Sequence, residues 1–289
     1  MRGLIFLAIC LLGLACHAGD TFAVFTYGGL GNRMFFLAGQ VAYARHFNKE
    51  ICLMEPFDPA FRIPYRLCTQ DETAQASQKA CAFPRYSSEF LEKDDCETIW
   101  GCYLQDERFF ANDRDFIRGL FQFSQPLPDR FKTLTEAIRK TNSVAVHIRR
   151  TDYLYNPERY ATLSLDYYES GADYIRDKTN SPIHLFVFSD DTNWVRNNFR
   201  SKHPFTVIPR NTTIEDLHLM SLCHHNIIAN STYSWWGAYL NKNPNKIVIA
   251  PDQWDKVDTW WGDDIILKDW VVLPADPQHP IQKKGPPAP

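Results

Sequence analysis

From about residue 143 onward, short apolar runs rich in β-branched residues alternate with amphipathic stretches of helical period. This alternation is typical of a parallel sheet whose strands are joined by crossover helices. The second half is therefore predicted to be a doubly wound, Rossmann-like α/β domain. Its predicted strands are residues 143–148, 183–189, 205–209, 226–230 and 246–250, and its predicted helices are residues 166–178, 193–199, 214–223 and 234–240.

The first half begins with the same pattern. A strand over residues 21–27 leads through the turn Gly28-Gly29-Leu30-Gly31 into a helix over about residues 32–47, and a strand over 51–55 follows. The alternation is then lost until the proline-containing connection that precedes a helix over 129–140. We expect an N-terminal domain over residues 19–127, a C-terminal domain over 128–273, and an extended proline-rich tail over 274–289.

The N-terminus has the pattern of a secretory signal. Arg2 precedes an apolar run of 14 residues, and Cys16 and Ala18 place small residues where a signal peptidase would cut. Because a spanning helix needs about 20 apolar residues, cleavage after residue 18 is favoured, with a short signal anchor as the alternative. The chain is expected in the secretory pathway, either in the Golgi membrane or lumen or, after cleavage, outside the cell.

Cysteine usage agrees with an oxidising compartment. Loss of the signal leaves six cysteines, which allow 15 pairings that the sequence does not distinguish. Five of them lie between residues 52 and 102, which predicts a disulfide-linked, loop-rich stretch, and Cys223 is either joined to it or free. Of two glycosylation sequons, Asn211 is expected to carry a glycan, whereas Asn230 lies in an apolar segment and is expected to be buried.

Composition and charge exclude several classes of protein. The 289 residues are 45% hydrophobic and 14% aromatic, so the chain is globular, and its net charge of -3 supplies no positive field for a nucleic acid. Walker A, H-E-x-x-H and G-x-S-x-G sequences are absent. The glycine turn fails as a dinucleotide fingerprint because Met34 stands where a third glycine is needed, although a turn before a helix N-terminus also suits an oxyanion.

The end of the strand over residues 143–148 carries the most informative polar group. His147 and Arg149 are predicted on one face of the strand and Arg150 on the other, with Asp152 in the following loop. Ligands of open α/β sheets bind at this edge, and arginine presents a donor fork to phosphate oxygens. We predict that one arginine holds a diphosphate and that Asp152 braces the second. The alternative is a surface salt-bridge cluster.

Two further segments end at the same predicted edge. Asp190 and Asp191 follow the second strand, and Ser231, Thr232 and Ser234 follow the fourth. As alternatives, the aspartates cap a helix and the hydroxyls begin a helix that carries core tryptophans. Convergence of three segments favours a diphosphate leaving group stabilised by arginine, with no metal. Asp113-Arg114-Asp115 has the letters of a D-x-D metal motif, but it does not end a strand and is interpreted as chance.

At these residues the chain resembles the α-1,2-fucosyltransferases of glycosyltransferase family 11. Two residues differ from the commoner family pattern, Arg33 in place of glutamine and Thr151 in place of glycine. Four motifs, together spanning nearly the whole mature chain, carry the resemblance: Gly28-Gly-Leu-Gly-Asn-Arg-Met-Phe35, His147-Ile-Arg-Arg-Thr-Asp-Tyr153, Phe188-Ser-Asp-Asp191 with Trp194, and Asn230-Ser-Thr-Tyr-Ser-Trp-Trp-Gly-Ala-Tyr-Leu240.

The resemblance implies a GT-B architecture, in which two Rossmann-like domains face a cleft, with the N-terminal domain over residues 19–127 on the acceptor side and the C-terminal domain over 128–273 binding the GDP-sugar. It also implies GDP-fucose as donor and inverting, metal-independent transfer to the 2-hydroxyl of a terminal galactose on a glycan. Arg149 would contact the β-phosphate. The other donor-site residues that it implies are Gly31, Asn32 and Arg33 from the N-terminal domain and His147, Arg150, Asp190, Asp191, Ser231, Thr232 and Ser234 from the C-terminal domain.

The catalytic base and the class of protein leave alternatives open. Asp152, Glu158 or a carboxylate of the N-terminal domain could take the acceptor proton. Alternatively, stabilisation of the departing GDP by Arg149 could supply most of the rate acceleration without a strong base. A non-catalytic glycan-binding protein is an alternative because the chain has eight tryptophans, including Trp235-Trp236 and Trp260-Trp261. A protein O-fucosyltransferase that shares the arginine motif is another.

Overall fold

The structure, a computed structural model, describes residues 21–100, 103–256 and 264–278. The predicted signal segment, Cys102, Trp260, Trp261 and residues 279–289 of the predicted tail lie outside the described residues. In chain order the strands are β1 (Thr21–Val24), β2 (Glu50–Leu53), β3 (Arg66–Leu67), β4 (Ala80–Cys81), β5 (Thr98–Ile99), β6 (Asn142–Ile148), β7 (Ile183–Ser189), β8 (Phe205–Val207), β9 (His225–Ile227), β10 (Val248–Pro251) and β11 (Val271–Leu273).

Helices connect most of these strands. Three short 3₁₀ turns, Glu107–Phe109, Ala111–Asp113 and Asp129–Phe131, accompany them. The α-helices are α1 (Leu30–His46), α2 (Gln70–Gln78), α3 (Glu89–Glu92), α4 (Arg114–Leu120), α5 (Lys132–Lys140), α6 (Thr151–Tyr155), α7 (Leu165–Thr179), α8 (Thr192–Asn198), α9 (Thr213–Leu222) and α10 (Thr232–Tyr239).

The C-terminal half is a doubly wound α/β domain, as predicted. Its strands form one parallel sheet in the order β11-β10-β9-β6-β7-β8. The chain moves outward from β6 to β8 and then returns to β9 on the other side of β6, which is the strand order of a Rossmann fold. The switch point between β6 and β9 opens a crevice at the carboxyl ends of these two strands.

The N-terminal half carries a smaller parallel sheet. Strands β1, β2 and β3 are paired in that order, and β4 pairs with β5. The two pairings meet because the Ala23 amide donates to the Glu97 carbonyl just before β5, at 2.8 Å. The predicted GT-B arrangement of two α/β units facing a cleft is confirmed, but the first unit has shorter strands than a full Rossmann domain.

The two units share one hydrophobic core along one side of the cleft. Phe35 of α1 packs against Trp235 and Trp236 of α10, with ring centroids 4.6 and 5.1 Å apart, and Phe121 lies 4.8 Å from Trp236. Both tryptophans are fully buried. The helix that follows β9 therefore joins the N-terminal unit to the C-terminal sheet, and its tryptophans are core residues that no sugar can reach.

Two disulfides link the cysteine-rich stretch, as the clustering predicted. Cys52 at β2 is bonded to Cys68 beside β3, and Cys81 of β4 is bonded to Cys96. Cys223 is buried and free. Each bridge closes a loop of about 15 residues, and loops of this size contribute roughly 3 kcal/mol by restricting the unfolded chain. The bridges thus stabilise short strands that have little apolar surface of their own to bury.

Three predictions from the periodicity need correction. The sheet has a sixth strand, β11, and the arginine motif runs into α6, so Asp152 lies in a helix and not in the predicted loop. Both elements are runs of five residues or fewer, too short for periodicity to detect. The predicted tail begins too early, because Ala275 is buried and its carbonyl accepts hydrogen bonds from the Ser164 amide and hydroxyl. Among the described residues, no helix combines the length and apolar character that crossing a bilayer requires.

Candidate functional site

A cleft of about 610 Å³ lies between the two units, at the carboxyl edge of the C-terminal sheet. Its walls come from both halves of the chain. The N-terminal unit supplies the start of α1 together with Tyr103 and Gln105, and the C-terminal unit supplies the segments that follow β6, β7, β8 and β9. The cleft therefore opens at the switch point, where the strand order directs the ends of β6 and β9 to either side of one crevice.

Arg149 is the cation at the centre of this edge. Its Nε lies 2.9 Å from Asp152 Oδ1 and one terminal nitrogen lies 3.3 Å from Asp190 Oδ2, while about 30% of the side chain is exposed to the cleft. Burial alone disfavours the charged form, but the two carboxylates outweigh it and raise the pKa of Arg149 above its ordinary value. The guanidinium is thus permanently charged, oriented, and open to an anion.

Asp190 fixes the backbone immediately after Arg149 through hydrogen bonds to two amides. One carboxylate oxygen accepts the Arg150 amide at 2.9 Å, and the other accepts the Thr151 amide at 3.1 Å and the Thr151 hydroxyl. The carboxylate therefore caps the N-terminus of α6, where free amides and the helix dipole favour a negative charge. Thr151, a departure from the commoner family pattern, adds a hydroxyl to this contact. Asp190 is a positioning residue for the arginine motif.

Arg150 and Asp191 lie behind the site and do not line the cleft. The Arg150 guanidinium stacks 3.5 Å over the Trp194 ring and reaches Asp191 at 3.5 Å, and Asp191 caps α8 by accepting the Trp194 amide at 3.0 Å. The expectation that Asp152 braces the second arginine was wrong, because Asp152 pairs with Arg149. Arg150 is braced by Asp191 and by the tryptophan instead.

His147 lines the cleft as a buried, neutral imidazole. Only 4% of the residue is exposed, and its Nδ1 has no hydrogen-bond partner among the described residues. Burial lowers the pKa of His147 to about 4; nearby Asp190 opposes this shift and Arg149 adds to it. A buried polar atom without a partner is costly, so a ligand group that bonded this nitrogen would recover that cost.

The segment after β9 contributes two of its three predicted hydroxyls. Ser231 and Thr232 line the cleft, whereas Ser234 is buried and donates to the carbonyls of Ala229 and Ser231 at 3.3 and 3.1 Å. The Tyr153 hydroxyl donates to the Asn230 carbonyl at 2.6 Å, which ties the arginine motif to this segment.

The glycine motif mainly joins the two units. A Cβ added to Gly31 would lie 2.5 Å from the backbone of Thr232 and of Tyr233, so the start of α1 meets the start of α10 without room for a side chain. The side-chain oxygen Oδ1 of Asn32 accepts from the Thr232 hydroxyl at 2.7 Å and from the Gln105 side-chain amide at 3.0 Å. Gly31 and Asn32 line the cleft as predicted, but their contacts are with protein.

Arg33, predicted in the same wall, packs within the N-terminal unit. It donates to the Pro56 carbonyl at 2.9 Å and to the Thr26 hydroxyl at 3.3 Å, with its guanidinium over Phe57. It does not line the cleft. The side chain that departs from the commoner glutamine thus supports the loop after β2, and the described residues of this unit place no cation in the lining of the cleft.

The cleft also narrows the choice of catalytic base. Glu158 is exposed and does not line the cleft. The described residues that line it from the N-terminal unit include no carboxylate, so of the predicted bases only Asp152 is placed there. Asp152 is also paired with Arg149, so the candidate base and the cation of the site are in direct contact.

Asp216, in the first turn of α9, is a cleft residue that the sequence did not reveal. Burial raises its pKa to about 6, the Asn211 side-chain amide opposes the shift by donating at 2.8 Å, and Glu215 adds to it. Acidic residues are common in the first turn of a helix because they stabilise its N-terminus, so the sequence gives no reason to single out Asp216. Glu215 does stabilise this terminus, by completing a capping box with Thr212. Only the tertiary structure shows that its neighbour faces the cleft.

The two glycosylation sequons have different environments. Asn211 lines the cleft, and its Nδ2, the atom that would carry a glycan, is the donor to Asp216. This hydrogen bond and the position in the cleft disfavour glycosylation of Asn211, which stays a prediction. Asn230 is buried, as expected, and its Nδ2 donates to the carbonyls of Ala161 and Trp254 at 3.0 and 2.9 Å.

Comparison with known proteins gives consistent matches. The model of glycosyl transferase family 11 matches residues 87–274. The α-1,2-colitosyltransferase of Escherichia coli is 30% identical over 282 residues, covering 85% of this chain and 96% of that protein. The O-antigen biosynthesis glycosyltransferase WbnK of Escherichia coli is 39% identical over 163 residues, 53% of each chain. The galactoside 2-α-L-fucosyltransferase SEC1 of Bos taurus is 24% identical over 240 residues, 77% of this chain and 65% of that protein.

Proposed function

Because the chain belongs to glycosyl transferase family 11, we propose that it transfers L-fucose from GDP-fucose to the 2-hydroxyl of a terminal galactose on a glycan, with inversion. The observation that carries this proposal is Arg149, which two carboxylates hold at the switch point of a Rossmann sheet, beside an imidazole whose Nδ1 has no hydrogen-bond partner among the described residues. The linkage rests on two relatives whose names state transfer to position 2, a colitosyltransferase and a galactoside fucosyltransferase.

Arg149 stabilises the leaving group in this reaction. Breaking the bond between the sugar and the β-phosphate places negative charge on a phosphate oxygen, and a charge already in position stabilises it without reorganisation. Asp152 and Asp190 fix the direction of the guanidinium fork. In-line attack by the acceptor hydroxyl on the opposite face of the sugar gives inversion, with Asp152 as the candidate to take the proton.

We also propose that the reaction needs no metal. Among the described residues, the two groups of metal-ligating side chains are Cys81, Asp95 and Cys96, where both cysteines are disulfide-bonded, and Glu169, Asp173 and His203. None of these residues lines the cleft, and Asp113 of the D-x-D letters pairs with Arg45. The cleft acids Asp152 and Asp190 are both paired with Arg149, so the support lies in the commitment of these carboxylates to an arginine.

Transfer of labelled fucose from GDP-fucose to β-galactosides, in the presence of excess EDTA, tests this function. We expect product that survives the chelator and in which methylation analysis places fucose on the 2-hydroxyl. Parallel reactions with GDP-colitose, the donor sugar suggested by the relative's name, and with folded protein acceptors test the other donor and the protein O-fucosyltransferase alternative. The absence of transfer to any galactoside would contradict the proposal.

The alternative of a non-catalytic glycan-binding protein loses its main support. Trp235 and Trp236 are fully buried between the two units and cannot stack on a sugar, and Trp260 and Trp261 lie outside the described residues. A glycan-binding protein also has no use for an oriented arginine beside a buried, unpartnered histidine. Calorimetric titration with GDP separates the two functions, because only the transferase requires a nucleotide site.

Asp216 and His147 are proposed to bind the guanine base. Both line the cleft; His147 is buried with an Nδ1 that has no hydrogen-bond partner among the described residues, and Asp216 is a half-buried carboxyl with a raised pKa. With a pKa of about 6, Asp216 is a carboxylate above this pH and can accept two guanine N–H groups, whereas the protonated form cannot. We therefore expect the KM for GDP-fucose to rise as pH falls below about 6. Asp216→Asn should raise KM at neutral pH by roughly 10- to 100-fold and remove this acid limb.

The matched control for this prediction is Asp115→Asn, because Asp115 is an exposed acid of α4 that does not line the cleft. Steady-state kinetics over a range of pH measure both variants. A wild-type KM and a wild-type pH profile for the Asp216→Asn enzyme would show that Asp216 does not bind the donor.

We further propose that the protein works in the secretory pathway, in the Golgi or, after cleavage of residues 1–18, outside the cell. The apolar N-terminal run and the two disulfides support this location. Mass spectrometry of protein from a eukaryotic host distinguishes a chain that begins at Gly19 from one that keeps an anchor, and purely cytosolic recovery would contradict both.

A further inference from the structure

We propose that a row of aromatic side chains, Phe25, Tyr27, Trp100 and Tyr103, binds the terminal galactose of the acceptor. This row is called the aromatic shelf below. The inference rests on the proposed function, since it names the subsite that the acceptor of that reaction occupies. None of these four residues belongs to the four sequence motifs. Tyr27 directly precedes the first of them.

The shelf lies where two neighbouring strands of the N-terminal unit end. Phe25 and Tyr27 follow β1, and Trp100 follows β5, which lies beside β1 through the hydrogen bond from Ala23 to Glu97. Tyr103 lines the cleft itself. The shelf therefore belongs to the N-terminal unit and reaches the wall of the cleft at Tyr103.

The rings form a continuous surface. Trp100 lies 5.1 Å from Phe25, Phe25 stacks 6.2 Å from Tyr27, and Tyr27 stacks 5.2 Å from Tyr103, measured between ring centroids. The hydroxyls of Tyr27 and Tyr103 are hydrogen-bonded to each other. Stacked rings with a pair of hydroxyls at one end present an apolar surface bordered by donors and acceptors.

The shelf is exposed although the unit has enough aromatic residues to fill its core. Tyr27 is 49% and Trp100 is 40% exposed, whereas Phe22, Phe36 and Tyr43 of the same unit are almost completely buried. Core packing therefore does not explain the outer rings. Exposed aromatic surface next to a cleft is typical of a ligand-binding surface, because it gains free energy when a partner covers it.

A galactoside is the ligand that matches this surface. The axial 4-hydroxyl of galactose leaves the C–H groups of carbons 3, 4 and 5 together on one apolar face, and aromatic rings pack against such a face while their polar edges contact hydroxyls. Burial and the hydrogen bond to Tyr27 raise the pKa of Tyr103 to about 12, so the Tyr103 hydroxyl stays protonated at neutral pH. A galactose on the shelf beside Tyr103 has its ring edge at the cleft, where the donor sugar would lie.

Saturation-transfer NMR tests the shelf by ligand binding, independently of catalysis. The probes are methyl β-galactoside and, as the matched ligand, methyl β-glucoside, each added to the GDP-saturated protein. We expect transfer to the galactoside protons H3, H4 and H5 and much less to the glucoside. Tyr27→Ala and Trp100→Ala should each weaken galactoside binding, and raise its KM in the transfer assay, by about tenfold, with GDP affinity unchanged.

The control variant is Phe205→Ala. Phe205 is similarly exposed, at 36%, but lies on the edge strand β8 of the C-terminal sheet. Thermal unfolding identifies any variant that fails to fold, in which case Tyr27→Leu replaces the alanine change. Galactoside signals that are equal in the shelf variants, Phe205→Ala and wild type would overturn the shelf. Galactoside binding without fucose transfer would instead contradict the proposed function and leave the shelf standing.

Discussion

Replacing Arg149 with alanine is expected to lower kcat for sugar transfer by at least about 10²- to 10³-fold, the range seen when one preorganised group that stabilises developing charge is removed. The physical reason is that Arg149 is the cation held between Asp152 and Asp190 at the switch point. Removing it also leaves two cleft carboxylates without a counter-charge, and these would repel the diphosphate. Single-turnover and steady-state measurements with GDP-fucose and a β-galactoside give the change in kcat.

Two variants show whether this loss is specific. Arg149→Lys keeps the charge but removes the planar fork, so we expect partial activity only. Arg176→Ala is the matched control, because Arg176 is also paired with two aspartates, Asp173 and Asp177, but lies on α7 away from the cleft. It should keep wild-type kcat. An Arg149→Ala enzyme that retains full kcat would show that the leaving group is stabilised elsewhere.

Substitution of Gly31 by alanine is expected to destabilise the protein strongly. The new Cβ would lie 2.5 Å from backbone atoms of Thr232 and Tyr233, which cannot move aside as the tip of a side chain can. Overpacking of this kind costs typically about 1–3 kcal/mol and occasionally more, and 1 kcal/mol lowers the Tm of a protein of this size by roughly 2–4 °C. Thermal and urea unfolding measure the loss.

Gly29→Ala provides a control two residues away. No atom lies within 4 Å of the Cβ that this change would add, and Gly29 has an ordinary extended backbone at the start of α1. Gly29 is the N-cap of α1, so we expect the unfolding free energy of this variant to fall by no more than about 1 kcal/mol, the ordinary cost of alanine at that position. If both alanine variants are equally stable, the two units are not held together at Gly31, and the glycine motif has to be explained by ligand binding instead.

Several features could be predicted from the sequence because they depend on local order along the chain. The alternation of β-branched runs with helical periods predicted a parallel sheet, and β6 and β7 lie at or within one residue of the predicted bounds. The rule that ligands bind at carboxyl strand ends was enough to bring His147, Arg149, Asp152 and Asp190 into one site. Clustering of cysteines likewise predicted the disulfide-linked stretch, although not its pairing.

Other features are set by contacts between residues far apart in sequence. Whether a polar side chain after a strand reaches a ligand depends on what packs beside it. The cleft is lined by Arg149, Asp190 and Thr232, whereas their neighbours Arg150, Asp191 and Ser234 point into contacts with protein. The same holds for Asp216. Its position in a first helical turn suggests a capping role, and only the tertiary structure shows that it lines the cleft.

The sequence by itself therefore determined the fold class, the signal-like N-terminus and the arginine motif, because each is a pattern of neighbouring residues with a local physical cause. The tertiary structure decided what those residues contact. It placed Gly31 and Asn32 against α10, it buried Trp235 and Trp236 in a core shared by both units, and it left the rings of Tyr27 and Trp100 exposed beside the cleft. Burial and pairing across the cleft depend on the whole fold, which local periodicity does not encode.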